Sequence, residues 1–216
     1  MEKTDLFDDL LEPRRSLLAD GAVLLRGLAL QGEAVLLNEL KSVIAQSPFR
    51  HMVTPGGFTM SVAMTNCGKL GWVTDRKGYR YDALDPNTGN AWPAIPASFL
   101  ALAAQAALEA GFADFVPDAC LINQYKPGAR MSLHQDKDER DFNQPIVSVS
   151  LGVPATFLLG GSERADKAIK IPLNHGDVIV WGGASRLRYH GVLPLKAGYH
   201  PAFGSCRINL TLRKAG

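Results

Sequence analysis

His134-Gln135-Asp136 places an imidazole and a carboxylate two residues apart. In an extended backbone such residues project to the same side, so the pair could ligate one cation. Short motifs of this kind also occur in surface turns, so a third donor is required. The other histidines are His51, His175, His190 and His200. His175 sits in Asn174-His175-Gly176-Asp177, which reads as a turn. His200 precedes Pro201 and reads as a loop residue, and His51 lies far upstream. His190, just beyond a strand candidate and before Gly191, is the chosen third ligand. Two imidazoles and one carboxylate on one face of an ion suit six-coordinate iron(II) with open positions. Zinc would hold a similar set tetrahedrally.

The C-terminal segment bears on that choice. Arg207-Ile208-Asn209-Leu210-Thr211-Leu212-Arg213 alternates strictly. Ile208, Leu210 and Leu212 share one face; Arg207, Asn209, Thr211 and Arg213 share the other. An edge strand with a solvated polar face is the ordinary explanation. Two guanidinium forks on one face instead suit a dicarboxylate, because each fork pairs a carboxylate bidentately. Asn123 and Tyr125 form a second same-face polar pair that could hydrogen-bond the same acid.

These residues need elements to hold them. Leu36, Leu40, Val43 and Ile44 recur at helical spacing within Glu33–Gln46. A second helix is predicted over Pro96–Ala110, with proline suited to its first turn and Gly111 to its cap. Thr54 to Pro93 is rich in glycine, proline and aromatics and reads as hairpins and loops. Short strands follow: Cys120–Tyr125, Val147–Val153, Ala155–Leu159, Ile169–Leu173, Asp177–Trp181 and Arg207–Arg213. Many short strands after two helices predict a β-sandwich or barrel with helices on one face. The 216 residues suit one domain. Cys67, Cys120 and Cys206 form no CxxC pair, which argues against a zinc ribbon or disulfide framework and for a reducing, cytoplasmic setting. The acidic N-terminus lacks a signal-peptide pattern, and no apolar run is long enough to span a membrane. A net charge of +2 does not by itself point to nucleic acid.

The order Asn-x-Tyr, His-x-Asp, His and Arg-x-Asn-x-Thr-x-Arg resembles the AlkB family of nucleic-acid dealkylating dioxygenases. Thr54-Pro55-Gly56-Gly57, Met60 to Gly68 and Val180-Trp181-Gly182-Gly183 extend the resemblance over nearly the whole chain. It implies an α+β, mainly β fold: a double-stranded β-helix, or jelly roll, with supporting helices. It divides a single 1–216 domain into an N-terminal extension and helix (about 1–45), a nucleotide-recognition lid (about 46–93) and a catalytic core (about 94–216). It assigns Fe(2+) to His134, Asp136 and His190. It assigns 2-oxoglutarate to Asn123, Tyr125, Arg207, Asn209 and Arg213, with Gln124 carried in the same set and Arg207 leaning to the distal carboxylate. O2 is the other co-substrate. Phe58 and Gln124 depart from the tyrosine and arginine the resemblance leads one to expect.

Trp72, Tyr79 and Tyr81 are interleaved with Arg76, Lys77 and Arg80. Aromatic and basic residues so mixed suit a base stacked beside a phosphate backbone, or else a sheet face with solvated charges. By resemblance, Trp72 and Tyr79 hold a flipped base, Asp138 meets its polar edge and Arg164 reaches substrate from a later loop. Arg80, Tyr81, Thr54 and Met64 complete the expected substrate set. The activity implied is oxidative demethylation of 1-methyladenine and 3-methylcytosine, with 2-oxoglutarate going to succinate and release of formaldehyde. The expected partner is single-stranded or damaged duplex DNA, with RNA also in range, bound by a monomer. Rival readings are an oxygenase acting on a protein or small molecule, and a non-catalytic jelly-roll binding module. A zinc hydrolase is disfavoured because no general-base glutamate accompanies the His-x-Asp in a recognisable motif.

Overall fold

The computed structural model describes residues 13–216. Its first elements are a hairpin not anticipated from sequence, β1 (Arg15–Ala19) and β2 (Ala22–Leu25). Asp20-Gly21 connects them, and Gly21 takes φ +72°, which glycine adopts without steric penalty. The two expected helices follow as α1 (Glu33–Gln46) and α2 (Ala97–Glu109). Between them run β3 (Arg50–Val53), β4 (Thr59–Gly68), β5 (Gly71–Asp75) and β6 (Gly78–Asp82). The remaining strands are β7 (Ala119–Tyr125), β8 (Met131–His134), β9 (Ile146–Gly152), β10 (Ala155–Leu159), β11 (Ile169–Leu173), β12 (Val178–Trp181), β13 (His190–Val192) and β14 (Arg207–Arg213).

An eight-stranded sheet has the order β1-β2-β12-β9-β14-β7-β4-β3. A four-stranded sheet, β11-β10-β13-β8, faces it, and β5-β6 form a separate hairpin. The pairings are antiparallel, as the jelly roll requires. The helices cover the outer face of the large sheet. Leu36 and Leu40 of α1 and Phe99 and Ala106 of α2 pack there against Ile122, Val149, Leu210 and Leu212. The inner face meets the small sheet through Met64, Leu121, Ile179, Trp181 and Phe157. Burying each large apolar side chain contributes about 1.5–3 kcal/mol, so this double core is a rigid base for whatever projects from it.

β14 shows how the layers orient the polar residues. It lies between β9 and β7, so both its edges are paired, and all seven residues are buried. Ile208, Leu210 and Leu212 feed the helix-side core. Period-two alternation therefore turns Arg207, Asn209, Thr211 and Arg213 inward, between the two sheets. The edge-strand alternative is excluded by this central position.

Candidate active site

Between the sheets lies a cavity of about 810 Å³, lined by residues of both sheets and of the β5-β6 hairpin. His134 ends β8 and His190 begins β13, and the two are direct register partners. Gly191 permits the approach, because a Cβ there would stand 2.7 Å from Met131 O. The imidazole centroids are 4.4 Å apart. Asp136, two residues beyond His134, places Oδ1 3.7 Å from His134 Nε2 and Oδ2 3.6 Å from His190 Nε2. All three donors lie within 4.8 Å of one another, a spacing that fits one metal ion.

The surroundings favour that role. His134 Nδ1 lies 2.8 Å from Ser132 O and His190 Nδ1 3.1 Å from Arg188 O. A carbonyl only accepts, so each Nδ1 carries the hydrogen and each Nε2 lone pair is free to bind a metal. Trp181 and Phe157 pack on His190 and fix its plane. Burial, with His190 beside it, lowers the His134 pKa to about 4, so it is a neutral ligand at ordinary pH. Burial alone would raise the Asp136 carboxyl. Arg213, together with His190 and His134, outweighs it and holds the acid well below the usual carboxylate range. His175, passed over as a ligand, accepts from Gly152 N at Nδ1 (2.9 Å) and meets Glu33 at Nε2 (2.9 Å). Its two nitrogens are thus used in tying the turn to β9 and to α1.

The two arginines of β14 have different employment. Arg213 donates from Nε and Nη2 to Asp136 Oδ2, at 3.1 and 2.5 Å. Arg207 is 1% exposed and has no acidic partner among the described residues. Its Nε donates to Ser150 Oγ (3.0 Å), its guanidinium lies 5.0 Å over the Tyr125 ring, and its Nη1 has no partner. Burial disfavours its charge, and Tyr125 offsets this only in part. A buried cation left without a counter-charge is costly unless a ligand completes it. Asn209 is held by Ser148 Oγ and Val149 O and accepts from Thr211, while Asn123 donates to it. Asn123 Oδ1 has no partner among the described residues. These residues form a polar floor that fits an anionic, oxygen-rich acid beside the metal-ligand cluster.

At the mouth, Thr54, Trp72, Tyr79, Asp138 and Arg164 line the cavity, with Met64 on its buried inner wall. Trp72 Nε1 donates to Asp138 Oδ2 (2.8 Å), and Arg164 stacks over Tyr189 at 5.3 Å. Trp72 and Tyr79 stack on each other, centroids 5.7 Å apart and 19° between planes. No slot separates them, so a base can meet only an outer face of the pair.

Three expected contacts fall outside the cavity. Gln124 follows the alternation of β7 to the opposite face from Asn123 and Tyr125, so its side chain cannot reach the acid. Arg80 is turned away from Tyr79 and Tyr81 by the same rule and pairs with Asp75 (3.0 Å) and Asp82 (3.6 Å). Tyr81 points toward the site but lies beneath its surface, donating to Glu139 Oε1 at 2.6 Å. Burial raises its phenol well above the ordinary value, which keeps it a donor. Residues missed in the sequence include Glu139 and Arg186, two charges that looked like surface residues and are buried. Ser148 and Ser150, which hold the β14 polar groups, were legible only as strand residues.

The 2OG-Fe(II) oxygenase superfamily matches residues 21–213. The alpha-ketoglutarate-dependent dioxygenase AlkB of Escherichia coli is 59% identical over 212 residues, covering 98% of both chains. The nucleic acid dioxygenase ALKBH1 of Homo sapiens is 34% identical over 124 residues, covering 57% of this chain and 32% of that one. The solved structure of OsALKBH1 superposes with a TM-score of 0.77 at 29% identity, over 93% of this chain and 99% of that one. With the family's iron(II) and 2-oxoglutarate fitting the donors and the buried cation in one cavity, the chain belongs to the AlkB family of 2OG-Fe(II) oxygenases.

Proposed function

We propose that this dioxygenase demethylates alkylated bases, 1-methyladenine and 3-methylcytosine among them, in single-stranded or damaged duplex DNA and in RNA. His134, Asp136 and His190 would hold the iron, and Arg207, with Asn123, Tyr125 and Asn209, would hold 2-oxoglutarate. The observation that carries this is the joining, in one cavity, of the His-Asp-His cluster, the unneutralised Arg207 and an aromatic-acidic mouth. When bound, iron(II), 2-oxoglutarate and O2 supply the oxidation that hydroxylates an N-methyl carbon, whose adduct releases formaldehyde.

The chain's own residues do the placing. N-methylation at these positions leaves the base positively charged and blocks its pairing, so the base leaves a stack at low cost. Trp72 offers it a π-face and Asp138 an opposite charge. The inner cavity wall, with Met64 and Trp181, excludes water around the methyl group. Segment 46–93 would thus serve as the recognition lid and 94–216 as the core. One chain furnishes the whole set, which supports action as a monomer. The absence of disulfides among three free cysteines supports a cytoplasmic setting, and no helix among the described residues is long and apolar enough to cross a membrane.

Trp72→Ala tests the base-binding role. Stacking is worth about 1–3 kcal/mol per base, so the KM for a methylated single-stranded oligonucleotide should rise roughly tenfold to a hundredfold. Succinate formation without oligonucleotide should stay near the wild-type rate, because the metal ligands are untouched. Side-by-side assays of demethylation and succinate decide it. An equal loss of both would mean that Trp72 supports the fold or the metal ligands instead.

A further inference from the structure

Arg213 fixes only one oxygen of Asp136. Both its bonds fall on Oδ2, and Oδ1 accepts none among the described residues. The carboxylate is thereby turned so that one oxygen stays available beside the histidines. Arg213 is itself held from behind. Tyr81 Oη accepts from its Nη1 at 3.3 Å, and Glu139 Oε1 lies 3.4 Å from its Nε. The other Glu139 oxygen accepts from Arg186 Nη2 at 3.0 Å, and Arg186 Nη1 closes the circuit on the Asp136 carbonyl at 2.7 Å. Two buried acids are thus balanced by two buried guanidiniums. Tyr81 is the register partner of Trp72 across β5 and β6, and the hairpin touches the 136–139 segment twice, through Trp72–Asp138 and Tyr81–Glu139.

We propose that Tyr81 and Glu139 are positioning residues that hold Arg213 on Asp136 and so tie the base-side hairpin to the metal-binding carboxylate. The proposal rests on the reading of His134, Asp136 and His190 as the metal ligands. Partners outside the ligand set orient ligands, and their loss lowers metal affinity by about 10–100-fold. Tyr81→Phe removes one hydroxyl while preserving the ring, and Glu139→Gln removes the charge between the two arginines.

The test is a titration of the full-length chain with cobalt(II), followed by its visible ligand-field absorption, alongside thermal unfolding of the same variants. Tyr81→Phe should weaken cobalt(II) roughly tenfold and alter the band shape, and Glu139→Gln should weaken it by about 10–100-fold. Arg80→Ala, which alters the same hairpin on its other side, should bind as wild type. A Tyr81→Phe protein with lowered Tm but wild-type cobalt affinity and spectrum overturns the inference and leaves Tyr81 a packing residue. Should Glu139→Gln fail to fold, Tyr81→Phe decides alone. Failure of the wild-type chain to bind cobalt(II) would instead overturn the metal assignment itself.

Discussion

His190→Ala should abolish turnover and reduce iron(II) affinity by more than the 10–100-fold typical of losing a partner outside the ligand set, since it removes a donor outright. His190 is placed for this by a cross-strand register rather than by its own sequence. It stands opposite His134, its Nδ1 hydrogen is spent on Arg188 O, and its Nε2 faces Asp136. The fold should survive the change, because Phe157 and Trp181 retain the rest of the inner core. His175→Ala gives the contrast. It breaks the links to Glu33 and Gly152, so it should cost about 1–3 kcal/mol of stability while leaving kcat unchanged at permissive temperature. Activity retained in His190→Ala but lost in His175→Ala would reverse the assignment of the third ligand.

Much of the site was legible because strands advertise themselves by alternation. The seven residues of β14 alternate without exception, and the same rule pairs Asn123 with Tyr125. Applied consistently, that rule also turns Gln124 and Arg80 away from the residues flanking them, so both could have been set aside from sequence. What sequence could not supply was partnership. β8 and β13 are four and three residues long, too short for any periodic signal, yet their register brings the two histidines together. Glu139 and Arg186 lie 47 positions apart. Each alone has the look of a solvated surface charge; only the closed sheet shows that they are buried against each other. The β1–β2 hairpin escaped because neither strand alternates, β2 being an unbroken apolar run, although Asp20-Gly21 between apolar runs is a turn signal. The two arginines of β14 were expected to act alike. One is spent on Asp136 and the other has no counter-charge among the described residues, a distinction that depends on loops outside the strand.

That distinction yields opposite signs for stability and function at Arg207. With no acid beside it among the described residues, the buried Arg207 charge is a cost to the ligand-free protein, relieved in part by Ser150 and Tyr125. Replacing a buried, uncompensated charge by an apolar side chain of similar reach is often neutral or stabilising. Arg207→Met should therefore leave the Tm of the ligand-free chain unchanged or raised. Binding of 2-oxoglutarate should suffer heavily, because truncating one partner of a buried charge pair costs about 2–5 kcal/mol, an affinity loss of roughly thirtyfold or more. Arg207→Lys should fall between, since an ammonium keeps the charge but cannot copy the fork. Arg213→Lys should look different again. Its fork serves Asp136, so metal affinity should fall together with 2-oxoglutarate use. Tm in the absence of ligand, 2-oxoglutarate KM and metal affinity, measured on all three variants, separate these roles. A ligand-free Arg207→Met protein that is strongly destabilised, with its 2-oxoglutarate KM unchanged, would make Arg207 a structural residue and remove the anchor for the acid. A raised KM at unchanged Tm would show that the protein carries this buried charge for its co-substrate rather than for its fold.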